Sequence, residues 1–350
     1  MARIYQDSFD SYGTGTDGMT NPPWLTAPAP VAAAARTGGF GLRNTQYTLD
    51  MSCGVGGLAG PYTEIYCGFF ARPQALVTLD ELFVVRDTRT SWAASNNHIT
   101  VAVTIDAVNS KFTQLAVYRG DNGGTQLGST VTFTYPNGYG GVYFEFNVKI
   151  HDTTGQVTIR ADSVEVFAFT GDTRNAGAGE INALVWQPNG ADIDDLYINT
   201  TSGSVNNGFS GDQRIYIVMA TGVGNYAQFD PSAGANWENV DEIDQDVDVT
   251  YNDTSVVGEI DTFAFADVAP SPALNSVSAV QWRVVARRAD ASASSIKRVY
   301  RRGGTDYKGS ATALGDAYKA IHDVLETDPV TAAAWAVANF NSGEWGYESV

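Results

Sequence analysis

The chain has 350 residues, 39 acids against 21 bases and a formal net charge of −18, so neither nucleic acid nor an anionic membrane surface is an expected partner. Its length suits two domains of about 150–200 residues each, and sparse charge with 36 glycines between Thr-, Val-, Tyr- and Phe-rich runs favours a mainly β protein. Two cysteines, Cys53 and Cys67, exclude a four-cysteine zinc site and a disulfide scaffold. Free thiols are their favoured state in a cytoplasmic product, with a single disulfide as the alternative.

The opening MARIYQDSFDSYG has no apolar run of signal-peptide length, and no later segment approaches the ~18 apolar residues that cross a bilayer. Folding in a cytoplasm is therefore expected. GTGTDG, Gly13 to Gly18, has the letters of a dinucleotide-binding turn, but Pro22 and Pro23 follow where the helix should begin. It is read as a loop.

Short alternating runs fill the next 180 residues: EIYCGFFA (Glu64 to Ala71), ELFVVRD (Glu81 to Asp87), HITVAVTID (His98 to Asp106), TQLAVYRG (Thr113 to Gly120), VYFEFNVKI (Val142 to Ile150) and QVTIRADSVEVFAFTG (Gln156 to Gly171). Val142, Phe144, Phe146, Val148 and Ile150 share one face at period two, and DNGG and DTTG are hairpin turns. Many short strands without a helical period predict a β-sandwich. The polar stretch Asn199 to Asp212 marks the boundary, giving domains 1–205 and 206–350.

The second half predicts strands at QRIYIVMA (Gln213 to Ala220) and GEIDTFAF (Gly258 to Phe265), and a hairpin of VQWRVVARR and IKRVYRR across ADASASS. Leu314, Tyr318, Ile321 and Leu325 fall at helical spacing within Ser310 to Glu326, and a second helical piece is expected around Thr331 to Asn339.

Few residues carry a recognisable chemistry. A retaining glycosidase needs two carboxyl groups about 5–5.5 Å apart, which laminarinase-type enzymes place on one strand as E-x-D-x-x-E. Glu259 and Asp261 supply the first half, but Phe263 or Ala264 stands where the acid/base belongs. The strand is read as structural, with no catalytic residue assigned. In the acidic run Trp237 to Asp253, Asp244, Asp246 and Asp248 have the opening spacing of a calcium loop. Val249 replaces its glycine and Ser255 its closing glutamate, so a solvated loop is preferred, Ca2+ is the minor alternative, and no metal or cofactor ligand is assigned.

Arg283, Arg287, Arg288, Lys297, Arg298, Arg301 and Arg302 form the opposite patch, expected to complement the acidic run within a subunit or between subunits. His98, His151 and His322 stand singly, and no nucleophile elbow accompanies them. Trp92, Tyr135 and Tyr139 lie in polar loops and are the candidates for stacking on a sugar.

VYFEFNVKIHDTTGQVTIRADSVEVFAFTGDTRN, followed by GADIDDLYINTTSGSVNNGFSGD, resembles a LamG-type, concanavalin-A-like jelly roll. The family order is a long aromatic strand, an Asp-x-x-Gly turn, a hairpin at Ala161-Asp162-Ser163 that lacks the usual glycine, and a late strand with Ile193-Asp194-Asp195-Leu196. The resemblance implies two antiparallel sheets, the last strand pairing near QDSFDSY, and structural carboxylates, with Asp194 or Asp195 bonded to neighbouring amides. Over nearly its full length the chain also resembles virion-associated proteins of tailed bacteriophages, through the series SGSVNNGFSGDQRIYIVMATG, TYNDTSVVGEIDTFAF, RRGGTDYKGS and DPVTAAAWAVANFNSGEWGYE.

That resemblance implies a non-enzymatic particle component assembled in the bacterial cytoplasm. It would be a homo-oligomer among other virion proteins, associated with the tail or its fibres and able to touch host-surface glycan. Capsid decoration is the alternative, and a glycan-degrading enzyme the third reading.

Overall fold

The computed structural model describes 2–350 apart from 11–23, 27–29, 44–45, 54–57, 89–95, 107, 134–139, 176, 188–189, 244–245, 269–275 and 291–293. Two compact units divide it, Met1–Tyr216 and Ile217–Val350.

The first unit contains β1 (Arg3–Asp7), β2 (Trp24–Thr26), β3 (Leu42–Arg43), β4 (Tyr47–Asp50), β5 (Glu64–Pro73), β6 (Val77–Arg86) and β7 (Asn97–Asp106). After them come β8 (Lys111–Arg119), β9 (Thr125–Thr132), β10 (Val142–Lys149), β11 (Gly155–Ala161), β12 (Val164–Gly171), β13 (Ala183–Trp186) and β14 (Ala191–Asn199). They form two seven-stranded sheets: one in the order β1-β14-β5-β10-β11-β12 with β3 also on β14, the other β2-β4-β13-β6-β7-β8-β9. All pairings are antiparallel, and the late strand β14 returns to β1, with Tyr5 opposite Ile198 and Asp7 opposite Leu196. This is a jelly-roll β-sandwich.

Alternation in the strands builds its core. Val142, Phe144, Phe146 and Val148 point inward from β10 beside Ile65, Cys67, Phe69 and Ala71 from β5. The facing sheet supplies Phe83, Val85, Ile99, Val101 and Val103. Phe146 joins the layers, stacked on Phe69 at 5.3 Å and tilted against Phe83 at 4.9 Å. Cys67 lies within this core, where burial pushes its thiol well up, and Cys53 is half-buried; the two are not joined in a disulfide.

The two-residue hairpin between β11 and β12 places Asp162 at φ 50° and Ser163 at φ 68°, the left-handed pair of a type I′ turn. Asp162 suits it by accepting the Tyr143 amide at 2.9 Å, whereas Ser163 occupies a position that favours glycine.

The second unit contains β15 (Ala220–Ala227), β16 (Asp230–Pro231), β17 (Asn252–Asp253), β18 (Ile260–Phe265) and β19 (Val280–Ala286). Beyond these lie β20 (Ser295–Arg302), β21 (Thr305–Lys308), β22 (Thr312–Ala313), β23 (Lys319–Leu325), the short helix α1 (Val337–Asn341) and β24 (Glu344–Ser349). A six-stranded sheet runs β15-β18-β24-β20-β21 with β22 also on β20, while β19 pairs with β23 as a separate ribbon. Trp282, Ile321 and Leu325 from the ribbon share one core with Phe263, Tyr300, Trp345 and Tyr347 from the sheet. The second unit is thus a small two-layer β-sandwich.

Four local expectations change. VQWRVVARR and IKRVYRR do not form a hairpin: β19 pairs with β23, and β20 pairs with β24 and β21, because Val280 and Val284 find Leu325 and Ile321 as partners. The expected helix over Ser310–Glu326 is instead β22 and β23, its apolar spacing overridden by that pairing. Only Val337–Asn341 is helical near the C-terminus. The strand expected over Gln213–Ala220 begins at Ala220.

Candidate functional site

In β10 the inward phase leaves Tyr143, Glu145 and Asn147 on the opposite face of the sheet, in register with Phe70, Gly68 and Tyr66 of β5. β14 adds Asp192, Asp194, Asp195 and Tyr197. A bulge separates Asp194 from Tyr197 in the pairing with β5, and Asp195 adopts φ 54°. All these acids are fully buried: a segment of the same chain near residues 208–215 reaches Glu145, Tyr197 and Asp195, the amides of Arg36 and Thr37 meet Asp194, and Arg43 and Arg72 meet Asp192.

The covering segment is fastened by hydrogen bonds from its own amides. Gly211 N–H donates to Glu145 Oε1 at 2.7 Å, Ser210 N–H to the Tyr197 hydroxyl at 3.0 Å and Ile215 N–H to Asp195 Oδ1 at 2.8 Å. Tyr197 in turn donates to Glu145 Oε1 at 2.5 Å, and Asn199 Nδ2 donates to the Gly208 carbonyl at 2.8 Å. Phe209 packs edge-on against Tyr66 at 5.1 Å and beneath the Arg160 guanidinium at 4.0 Å. Close packing continues under the segment: a Cβ at Gly68 would come within 2.3 Å of the Tyr197 ring.

Each acid has partners within the chain, while Glu145 Oε2 is buried without one among the described residues. Asp194 Oδ2 accepts the amides of Arg36 and Thr37 at 2.6 and 3.0 Å, and its Oδ1 accepts the Asp195 amide at 2.7 Å. Asp195 Oδ2 accepts the Thr37 hydroxyl at 2.8 Å and lies 3.5 Å from Arg36, which also donates to Asp212 at 2.6 Å and stacks on Phe70 at 4.2 Å. Asp192 is gripped by Arg43 and Arg72, each at 2.7 Å. Burial, and then the neighbouring Asp195 charge, push Asp194 up to about 8; burial pushes Asp195 up to about 6. The pair holds a proton in a pH range where an isolated carboxylate has none. Chemically this arrangement is a clamp: its acids accept backbone amides and arginines, as the IDDL resemblance implies.

Glu259 and Asp261 do not form a row of acids. Asp261 is buried, accepting the amides of Gln228 and Phe229 at 2.7 and 3.0 Å and Asn236 Nδ2 at 2.8 Å. Glu259 accepts the Thr254 hydroxyl, and Phe263 packs on Tyr347. In the acidic run, Thr250 contacts Glu242 and Asp246 while Asp248 accepts Arg287 and the Tyr318 hydroxyl, both at 2.8 Å. Asp244 lies outside the described residues. Among the described residues, no three His, Cys, Asp or Glu side chains are grouped to hold a metal.

The basic patch is dispersed into separate pairs, of which Arg287 reaches the acidic run at Asp248. Arg288 meets Asp316, Arg298 meets Asp323, Arg302 meets Asp328 and Lys297 meets Glu348 at 2.5–2.8 Å. His98 and His322 are buried, His322 pushed down to about 3 by burial and then Arg283, while exposed His151 accepts the Thr153 and Thr154 amides. The loops with Gly13–Gly18, Trp92, Tyr135 and Tyr139 lie outside the described residues.

Sequence reading missed Glu145, Arg36 and Phe209. Glu145 sits on the outward phase of a strand whose inward phase was read correctly. That alternation was its only local signal, since Tyr197 and Gly211 are distant in sequence.

Neither a family profile nor any curated protein matches the chain. Several solved structures are similar in fold to about half of it. Domain 4 of AbnA, a GH43 extracellular arabinanase from Geobacillus stearothermophilus in complex with arabinotriose, is 15% identical over 57% of this chain and 92% of that one, with a TM-score of 0.34. The exoplasmic/lumenal domain of VIP36 in a Ca2+/Man-bound form is 11% identical over 55% and 91%, at 0.34. The alginate lyase Aly36B is 13% identical over 51% and 79%, at 0.29. At such distances, ligand and activity have to be argued from this chain's own residues.

Proposed function

We propose that the chain is a non-enzymatic structural protein of a tailed-bacteriophage particle, associated with the tail or its fibres. Its jelly roll would meet a host glycan or a neighbouring virion protein through loops and strand edges. The observation that supports a non-enzymatic role is the commitment of every acid on the covered sheet face, and of Asp261, to amides, hydroxyls and arginines of the chain itself. A general acid or nucleophile needs reach to a substrate, and these groups lie beneath their own chain. The virion assignment rests on the sequence series quoted above, from SGSVNNGFSGDQRIYIVMATG to DPVTAAAWAVANFNSGEWGYE.

Gold-tagged antibody to the protein on intact particles, viewed by electron microscopy, tests the placement. Label at the tail end is expected; label over the head would favour capsid decoration, and absence from particles would overturn both. Host polysaccharide incubated with the protein should release no sugar above buffer, and Glu259→Gln should change nothing. Release that Glu259→Gln abolishes would establish the enzyme reading.

A further inference from the structure

One side of the first sandwich ends in two open strands, β9 and β12, at the edges of its two sheets. An open strand carries a row of backbone donors and acceptors at the spacing of another extended backbone, and proteins ordinarily blunt such edges with charge, bulges or short length. Most edges here are blunted. β9 breaks register, three residues from Gly128 to Thr130 standing between the partners of Leu115 and Val117. β15 shifts register twice, β21 has four residues including Asp306 and Lys308, and β2 has three.

β12 differs beyond its first residues. Its one irregularity falls near Val166, leaving Phe167, Ala168, Phe169, Thr170 and Gly171 in regular register with β11. That stretch contains no charge and no proline in a protein of net charge −18. Among the described residues its backbone bonds only to β11, while Ala168 and Thr170 are exposed and Phe167 and Phe169 turn toward the core.

We propose that β12 is a self-association edge, pairing antiparallel with β12 of a second copy about a two-fold axis centred on Phe169. In that register Phe167 faces the side-chain-free Gly171, exposed Ala168 faces exposed Thr170, and Phe169 meets its own copy. In this register each large residue meets a small one or an aromatic equal. A second copy fits this edge better than a glycan or a charged partner: an extended backbone matches the open row, and an uncharged stretch lets an acidic protein approach itself. The sheet would run continuously through both copies, and the contact stands whether or not the protein belongs to a virion.

Light scattering coupled to size exclusion, run on the full chain from 1 to 100 μM, tests it. The wild type should reach the mass of two chains, and Ala168→Lys and Thr170→Lys should each weaken association at least tenfold. Thr221→Lys on the edge strand β15 should leave it intact. Should a lysine variant fail to fold, hydrogen exchange on the wild type decides: amides of 167–171 should slow as concentration rises. A wild type that stays monomeric at 100 μM, a dimer indifferent to folded lysine variants, or exchange at 167–171 that ignores concentration would each overturn the proposal.

Discussion

In the first unit two seven-stranded sheets meet over a continuous core, so each buried ring leans on several others from both layers. In the second, one six-stranded sheet is covered by the ribbon of β19 and β23, and a few aromatics around Trp345 and Tyr300 join the layers. Both units bury carboxylates against backbone amides, Asp194 and Asp195 in one and Asp261 in the other. The contrast teaches that similar polar clamps can sit on cores of unequal redundancy, and the smaller core should be the easier to destroy.

The largest effect tests that inequality. Trp345 lies 4.4 Å from Tyr300 and 5.9 Å from Trp335, and Trp345→Ala should cost about 3–5 kcal/mol. Hydrogen exchange should then show β18, β20 and β24 unprotected while β5 and β10 keep their protection. Phe146→Ala, of similar cost, should lower the melting temperature of the first unit without unfolding it at 25 °C. Equal tolerance in the two units would break the comparison.

Next comes Asp261→Ala, which strands the Gln228 and Phe229 amides and Asn236. A loss of about 1–3 kcal/mol in urea unfolding is expected, confined to the second unit.

Smaller still is a pH effect specific to the first unit. Asp194, pushed up to about 8, binds its proton more tightly folded than unfolded, so its contribution is full below the unfolded carboxylate range and falls as pH rises through 8. Between about pH 5 and 7 the first unit should lose up to about 1.4 kcal/mol per pH unit, levelling off above pH 8, read as melting temperature against pH. Asp195→Asn removes the neighbouring charge that helps hold the Asp194 proton, so the loss should end at lower pH, leaving a shallower slope near 8. An unchanged slope would show that the pair does not titrate together.

Ser163→Gly relieves the left-handed residue of the type I′ turn and should stabilise the first unit by about 0.5–1 kcal/mol in urea unfolding. Arg287→Ala, at an exposed pair with Asp248, should leave the second unit's melting temperature unchanged within error. A measurable drop there would give surface charge a weight in the smaller unit that this comparison denies it.

The sandwich of the first unit was legible because Val142 to Ile150 alternates cleanly and DNGG and DTTG close real hairpins. The IDDL carboxylates were legible as amide acceptors, though their donors, Arg36, Thr37 and Ile215, were not, since those contacts join positions far apart in sequence. Pairing in the second unit was misread for a related reason. Proximity across ADASASS suggested a hairpin, whereas the partner of β19 begins at Lys319, in a segment whose apolar spacing imitated a helix.

The pairing of β1 with β14 also sets a timetable. Arg3 finds Asn199, and the Thr200 amide closes on the Ala2 carbonyl at 2.7 Å, so β1 leaves a ribosome well before the strand that neighbours it is made. At about 5–20 residues per second, β1 waits on the order of 10–40 s for that neighbour to be made. Throughout the wait, the flank of β14's future place on β5 stays open, and a nascent chain crowded by siblings on one messenger is exposed to strand exchange between them. A slow stretch of codons near Thr200 would lengthen that window; a chaperone acting on the nascent chain would shorten its consequences.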